Sequence, residues 1–259
     1  MQVSYFIKKV INKLSLLPKK KQCNICEVNV YDYLPLPDHY KKNFLKFGFP
    51  YTKKGSFETI DTDHFFCPKC YSMDRERLYA WYLKKNVLLT ENNALLDFAP
   101  SASLSKWIKK NYSCRYVTAD LFMEEVDVKT DIEDMKVFES CSFDFVICSH
   151  VMEHVNSDLK AMSEIFRVLK KGGAAIIMTP ILRGFDGIDE DPTCTDISER
   201  WRRFGQDDHI RLYSKKIFVG RLTQSGFSVQ TISQNDIDKN EILKYGLPDN
   251  ISLYIVTKQ

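Results

Sequence analysis

The sequence predicts an α/β protein, a seven-stranded, doubly wound and mostly parallel sheet preceded by a small cysteine-bearing module. Three observations lead there. Residues 143–180, FDFVICSHVMEHVNSDLKAMSEIFRVLKKGGAAIIMTP, read as strand, acidic turn, amphipathic helix and strand, which is one βαβ crossover. Phe143–Cys148 and Ala174–Met178 are short, nearly continuous apolar runs, as expected of strands covered on both faces. Two Cys-x-x-Cys pairs stand upstream in a stretch with little periodicity.

The elements follow in order. Val3, Phe6, Ile7, Val10, Ile11, Leu14 and Leu17 recur at helical spacing in residues 1–21, with six lysines and no acid. This basic amphipathic helix either lies on an anionic membrane surface, where each lysine near the headgroups adds about 1 kcal/mol, or packs on protein. Residues 22–71 form the second unit, with Cys23 and Cys26 at one end and Cys67 and Cys70 at the other. Two such turns can present four thiolates to one structural zinc ion, with His64 as a substitute ligand and free thiols as the alternative. Forty residues separate the pairs, so an inserted loop or hairpin is expected between them.

Residues 72–259 form the third unit. It opens with a helix over 72–92, with Leu78, Trp81, Tyr82 and Leu88 facing inward. Strands at 94–99, 115–119 and 126–129 follow, with a helix at 104–110. In the βαβ stretch, Lys170, Lys171 and Gly172-Gly173 predict a cationic last turn and a left-handed cap. Residues 181–213 lack apolar periodicity and are expected to be irregular, lying over the active site. A helix at 216–224 and strands at 227–232 and 251–256 complete the chain.

Composition sets bounds. Thirty-seven basic against 34 acidic side chains leave a formal charge of +3, which gives no global argument for a nucleic-acid partner. No apolar run reaches the ~18 residues of a membrane span, and the N-terminus lacks a signal peptide's apolar stretch. The protein is expected in the cytoplasm, with peripheral contact to the inner membrane face through residues 1–21. In such a compartment cysteines serve as thiols or metal ligands. Cys114, Cys141, Cys148 and Cys194 are scattered and read as ordinary buried residues.

The phrase FDFVICSHVMEHV, the helix ending FRVLKKGG and the strand ending TP resemble the class I, Rossmann-like S-adenosylmethionine-dependent methyltransferases of the type 11 group, over about residues 94–256. The resemblance implies an S-adenosylmethionine site at the carboxyl ends of the strands. Asp97, Phe98, Ala99, Pro100 and Ser101 stand in the first loop, where the family carries an acid and alternating glycines; Ala99, Ser101 and Ser103 occupy the glycine places. Asp120 with Leu121 matches the ribose anchor, Asp131 with Ile132 the adenine contact, and Ser149 and His150 close the fourth strand. Isolated acids of this kind also serve as caps of helices and turns.

For catalysis, His150 and His154 flank Glu153 and either act on substrate or hold their turn. In Asp207-Asp208-His209-Ile210-Arg211 a histidine sits between carboxylates and an arginine, a grouping suited to orienting an imidazole base and binding an anionic substrate. Arg200, Arg202 and Arg203 add charge nearby. A solvated polar loop is the alternative. Nothing in the spacing of this half asks for a catalytic metal. The expected acceptor is a sugar hydroxyl or phosphorylated glycan intermediate, since the chain also resembles methyltransferase-like proteins of surface-glycan pathways. An RNA methyltransferase gripping nucleic acid with its zinc module, or a scaffold without catalysis, are the alternatives.

Overall fold

In the computed structural model of the protein, residues 7, 10 and 21–259 are described. The helix expected over 1–21 therefore lies outside the described residues apart from Ile7, Val10 and Lys21. The chain opens with a small hairpin, β1 (Lys21–Gln22) and β2 (Asn29–Val30), followed by α1 (Asp38–Phe47) and α2 (Asp74–Asn86). Next come β3 (Ala94–Phe98), α3 (Ala102–Asn111), β4 (Arg115–Asp120), β5 (Val128–Lys129), β6 (Phe143–Ser149), α4 (Asp158–Val168) and β7 (Leu169–Met178). The last third holds β8 (Ile188–Glu190), α5 (Ile197–Phe204), β9 (Arg211–Tyr213), α6 (Lys215–Gln224), β10 (Ser228–Ser233), α7 (Lys239–Tyr245) and β11 (Ser252–Thr257).

Seven strands make one sheet in the order β10-β11-β7-β6-β3-β4-β5. The five from β5 to β7 are parallel, and β11 and β10 close the edge antiparallel. Because β3 pairs with both β4 and β6, the chain reverses direction across the sheet there, which opens a crevice at its carboxyl end. Burial explains the strands, since all five residues of β3 are enclosed. Serine caps explain where three helices start: Ser101, Ser157 and Ser214 each accept a backbone N–H from three residues ahead, and α4 then buries Ala161, Met162, Ile165 and Val168 at helical spacing. Among the described residues, no helix is long and apolar enough to cross a membrane.

Several expectations give way. The Gly172-Gly173 cap is absent: α4 ends in extended backbone at Leu169, and β7 begins there. The glycines instead form a bulge, with Gly172 donating to Lys258 and Lys258 to Gly173, so pairing with the chain end outcompetes the cap. Gly173 is required in this bulge because a Cβ would come 2.9 Å from the Lys170 carbonyl oxygen. Leu88 falls beyond the end of α2 and is 87% exposed. Cys141 is exposed rather than buried. Residues 181–213 are ordered into the β8–β9 hairpin and α5, and the stretch between the cysteine pairs carries α1.

Those two segments share a core. Phe49, Leu182, Cys194, Phe204 and Leu212 bury together, with Phe44, Tyr51, Phe57 and Phe185 against them, and Trp201 of α5 stacks on Phe47 of α1 at 6.0 Å. Arg77 fastens the other side. Its five N–H groups donate to the carbonyls of His64, Phe65, Ser72, Tyr245 and Gly246, and its plane lies 3.8 Å from the Tyr33 ring centroid. Gly246 caps α7 at φ 57°, and a Cβ there would come 2.1 Å from Tyr33.

Arg77→Met keeps the stem and strands these carbonyls, at about 1 kcal/mol for each one left unpaired, so a loss of about 3–5 kcal/mol in denaturant unfolding is expected. Gly246→Ala should cost about 1–3 kcal/mol through overpacking and a strained φ, read as a lowered unfolding midpoint with an unchanged denaturant slope.

Candidate functional site

The two cysteine turns repeat one geometry. In each, the backbone N–H four residues after the first cysteine returns to its carbonyl, Glu27 to Cys23 at 2.8 Å and Tyr71 to Cys67 at 3.0 Å. The returning residue is left-handed in both, at φ 61° for Glu27 and 59° for Tyr71. The turns face each other, with Cys23 Sγ 3.8 Å from Cys70 Sγ and Cys26 Sγ 3.9 Å from Cys67 Sγ. Four thiolates at the usual 2.3 Å zinc–sulfur bond stand about 3.8 Å apart in a tetrahedron, so this donor set fits one zinc ion. His64 is not part of it, because its ring nitrogens face Asp61 at 2.9 Å and Asp32 at 3.3 Å.

The glycine-free loop after β3 adopts the glycine conformation regardless. Ala99 sits at φ 56°, a left-handed angle that costs an L residue about 1 kcal/mol. Ser101 caps α3, and Ser103 Oγ donates to the Cys70 carbonyl at 2.7 Å, so the second cysteine turn braces the loop. Asp97 lies beneath it, buried, with its carboxyl bonded to Tyr116 Oη at 2.6 Å. Burial pushes that carboxyl up to about 7, against the pull of the Tyr116 hydroxyl. At the end of β4, Asp120 Oδ1 accepts the backbone N–H of Phe122 and Met123. Leu121 is 43% exposed beside it. Asp131 Oδ1 similarly accepts from Glu133, and Ile132 is buried. Both acids cap their own turns through one carboxylate oxygen. Ser149 Oγ pairs with Tyr79 Oη of α2 at 2.8 Å.

A cavity of about 350 Å³ opens beside the end of β6. Tyr40, Phe44, Tyr51, Phe57, Phe65 and Phe66, all from between the cysteine pairs, wall one side; Phe204, Asp208 and His209 close it from the 181–213 segment. His150, Glu153 and His154 also line it. His150 holds a left-handed φ of 57°, turning the chain out of the strand. Glu153 is fully buried: Thr179 Oγ1 donates to Oε2 at 2.9 Å, and His150 Nδ1 stands 3.2 Å from Oε1. His154 Nδ1 lies 3.3 Å from the Asp208 carbonyl, and its ring meets that of His209 edge-on at 4.8 Å.

Electrostatics follow from burial. Burial pushes the His209 imidazole down to about 4, with Glu153 opposing that shift, and lowers His150 in the same way, aided by the Arg75 charge. Burial would raise Glu153, but the three imidazoles around it hold it below the usual carboxylate range.

Of the residues singled out for catalysis, His209, Asp208 and His150 come together around this cavity. Arg211 does not. It is buried, donates to Glu190 at 2.7 Å and to the carbonyls of Met152, Val155 and Asn156, and so fixes the turn that carries Glu153 and His154. Arg202 pairs with Glu199, Arg203 with Asp189 and Asp191, and Arg200 with two carbonyls, which leaves little of their charge for a substrate. Sequence reading missed Arg75, which lines the cavity and whose guanidinium makes no hydrogen bond to the described residues. It also missed the aromatic wall, whose signal was the density of Tyr and Phe between the cysteine pairs.

Residues 94–177 match the family model of a methyltransferase domain. No curated protein matches the chain. Among solved structures, an S-adenosylmethionine-dependent methyltransferase from Archaeoglobus fulgidus is similar at 17% identity and TM-score 0.45, over 71% of this chain and 91% of that one. The YcgJ protein of Bacillus subtilis is similar at 14% identity and TM-score 0.45, over 69% and 97%. Phosphoethanolamine N-methyltransferase 2 of Haemonchus contortus, in complex with S-adenosyl-L-methionine, is similar at 14% identity and TM-score 0.46, over 73% and 53%. Residues 94–177 thus carry a match to a methyltransferase domain, and they hold the central strands β3 to β6 and most of β7 in the seven-stranded sheet.

Proposed function

We propose that the chain O-methylates a sugar or phosphorylated glycan intermediate held in the aromatic cavity. The observation that carries this reading is the cavity itself, whose aromatic walls suit the apolar face of a sugar ring and whose floor gathers three imidazoles and a carboxylate. Arg75 supports an anionic acceptor, taking the place of the lid arginines.

The residues at the crevice fit the cofactor. Ala99 supplies the turn that lets backbone approach it, and the second oxygens of Asp120 and Asp131 suit the ribose hydroxyls and the adenine amino group, with Leu121 and Ile132 beside the ring. S-adenosylmethionine, when bound, supplies a methyl group on a sulfonium sulfur; as the acceptor O–C bond forms, the C–S bond breaks and its electron pair neutralises the sulfur. His209 accepts the acceptor's hydroxyl proton, with Glu153 stabilising the imidazolium. Arg211 keeps that carboxylate in place. Holding acceptor and methyl in line contributes most, and a base adds about 10²–10⁴-fold.

The cysteine cluster is proposed to hold a structural zinc ion, and residues 1–21 to touch anionic membrane. Pelleting with anionic liposomes, full-length chain against one lacking 1–21, tests the second point; equal binding by both would sink it.

Calorimetry with S-adenosylmethionine tests the central reading: wild type binds and Asp120→Ala weakens binding at least tenfold. Absence of binding in both would leave a scaffold. His209→Ala should retain cofactor affinity and lose about 10²-fold or more in turnover on a glycan acceptor. Because the folded-state value of His209 lies near 4, below its ordinary 6.5, its neutral form stabilises the fold above pH 6.5 and that contribution disappears as pH falls through 4. Thermal unfolding of His209→Ala should therefore lose less stability than wild type between these two pH values. Cys26→Ser with Cys70→Ser should remove one zinc per chain, read by elemental analysis.

A further inference from the structure

The fold joins groups that the sequence separates. Glu153, His154 and His209 each present one ligand-type atom, and the three atoms lie within 4.8 Å of one another at the edge of the cavity. Glu153 Oε1 is enclosed with no hydrogen-bond partner, since His150 Nδ1 at 3.2 Å makes none with it. His209 is 3% exposed, and neither of its ring nitrogens bonds to a described residue. The outer contacts are those that usually orient metal ligands. Thr179 fixes Glu153 Oε2, the Ile210 N–H holds the Glu153 carbonyl, and the Asp208 carbonyl faces His154 Nδ1, which leaves Nε2 of that ring for an ion.

We propose that Glu153, His154 and His209 bind a divalent zinc ion whose fourth position opens into the cavity. Two imidazoles and a carboxylate with one position free is the donor set of catalytic rather than structural zinc, and it is distinct from the cysteine cluster. In a tetrahedral shell with bonds of about 2.1 Å the ligand atoms stand about 3.4 Å apart, so the partly exposed His154 moves inward on binding. The site rests on the acceptor-pocket reading and deepens it. With the ion bound, His209 would serve as its ligand instead of taking the proton: the ion would hold the acceptor oxygen at its open position and lower the pKa of that hydroxyl, and the proton released would pass to His150 and on to water.

The test is a cobalt(II) titration of full-length protein, read by absorption, with elemental analysis of the protein as purified. Cobalt on thiolates gives strong near-ultraviolet charge transfer, whereas cobalt on imidazole and carboxylate gives only weak visible bands. The expected result is a second equivalent without thiolate absorption, weakened at least tenfold in His209→Ala and in the exposed-site variant His154→Ala, while the thiolate spectrum stays unchanged in both. Saturation at the cysteine equivalent alone, or a second equivalent indifferent to both variants, overturns the site. Iron or manganese in its place overturns the choice of ion. Calorimetry with S-adenosylmethionine on the same samples separates the two readings, because retained cofactor binding without the second equivalent sinks the metal site alone.

Discussion

Arg77 is the constraint on which the arrangement depends. A guanidinium without solvent contact survives only where its donors are satisfied, and here carbonyls do this work rather than a paired carboxylate. Three chain segments converge on it: residues 64–72 between and within the cysteine pairs, the start of α2, and the end of α7. Asp74 balances the charge from one turn away, its own carboxyl pushed up to about 6 by burial. Once Arg77 is seated, α2 has a fixed rotation and height over the sheet. Arg75 then lines the cavity, Glu76 closes the capping box at Met73, and Tyr79 reaches Ser149 at the end of β6.

The cavity is therefore a joint product of segments that a linear reading keeps apart. Its aromatic wall comes from between the cysteine turns, its lid from residues after β7, and its floor from the turn after β6. The wall and lid share an apolar cluster of their own, and Phe57 pairs with Leu182 across the boundary. Arg211, buried behind the floor, spends its charge on holding Glu153 and His154 where they meet His209. It lies outside the cavity lining, bonded to the carbonyls of Met152, Val155 and Asn156.

The central sheet was legible because parallel strands carry their signal locally, as unbroken apolar runs between amphipathic helices. The cysteine cluster was legible from spacing alone. What stayed hidden depends on partners distant in sequence. Gly172-Gly173 has the chemistry of a helix cap, yet pairing with Lys258 makes it a bulge. Trp201 and Phe204 belong to a helix whose other residues are nearly all polar, so periodicity could not announce α5 without the aromatic face of α1 opposite. Arg211 and His209 are neighbours in sequence with opposite destinations, one behind the floor and one in it. Ala99 shows the reverse case: the loop keeps a glycine's backbone angle without a glycine.

The cysteine cluster has a consequence beyond local folding. Its outermost members, Cys23 and Cys70, are 47 positions apart, and the chain between them includes the whole aromatic wall. An ion that joins them closes a long loop and removes much of the freedom the wall would have when open. Ser103 extends that closure to the cofactor loop through the Cys70 carbonyl. Metal occupancy, acceptor affinity and cofactor affinity then become linked quantities. On the proposed reading of the cluster as a structural zinc site, loss of that ion would lower both affinities together by freeing the wall and the loop after β3.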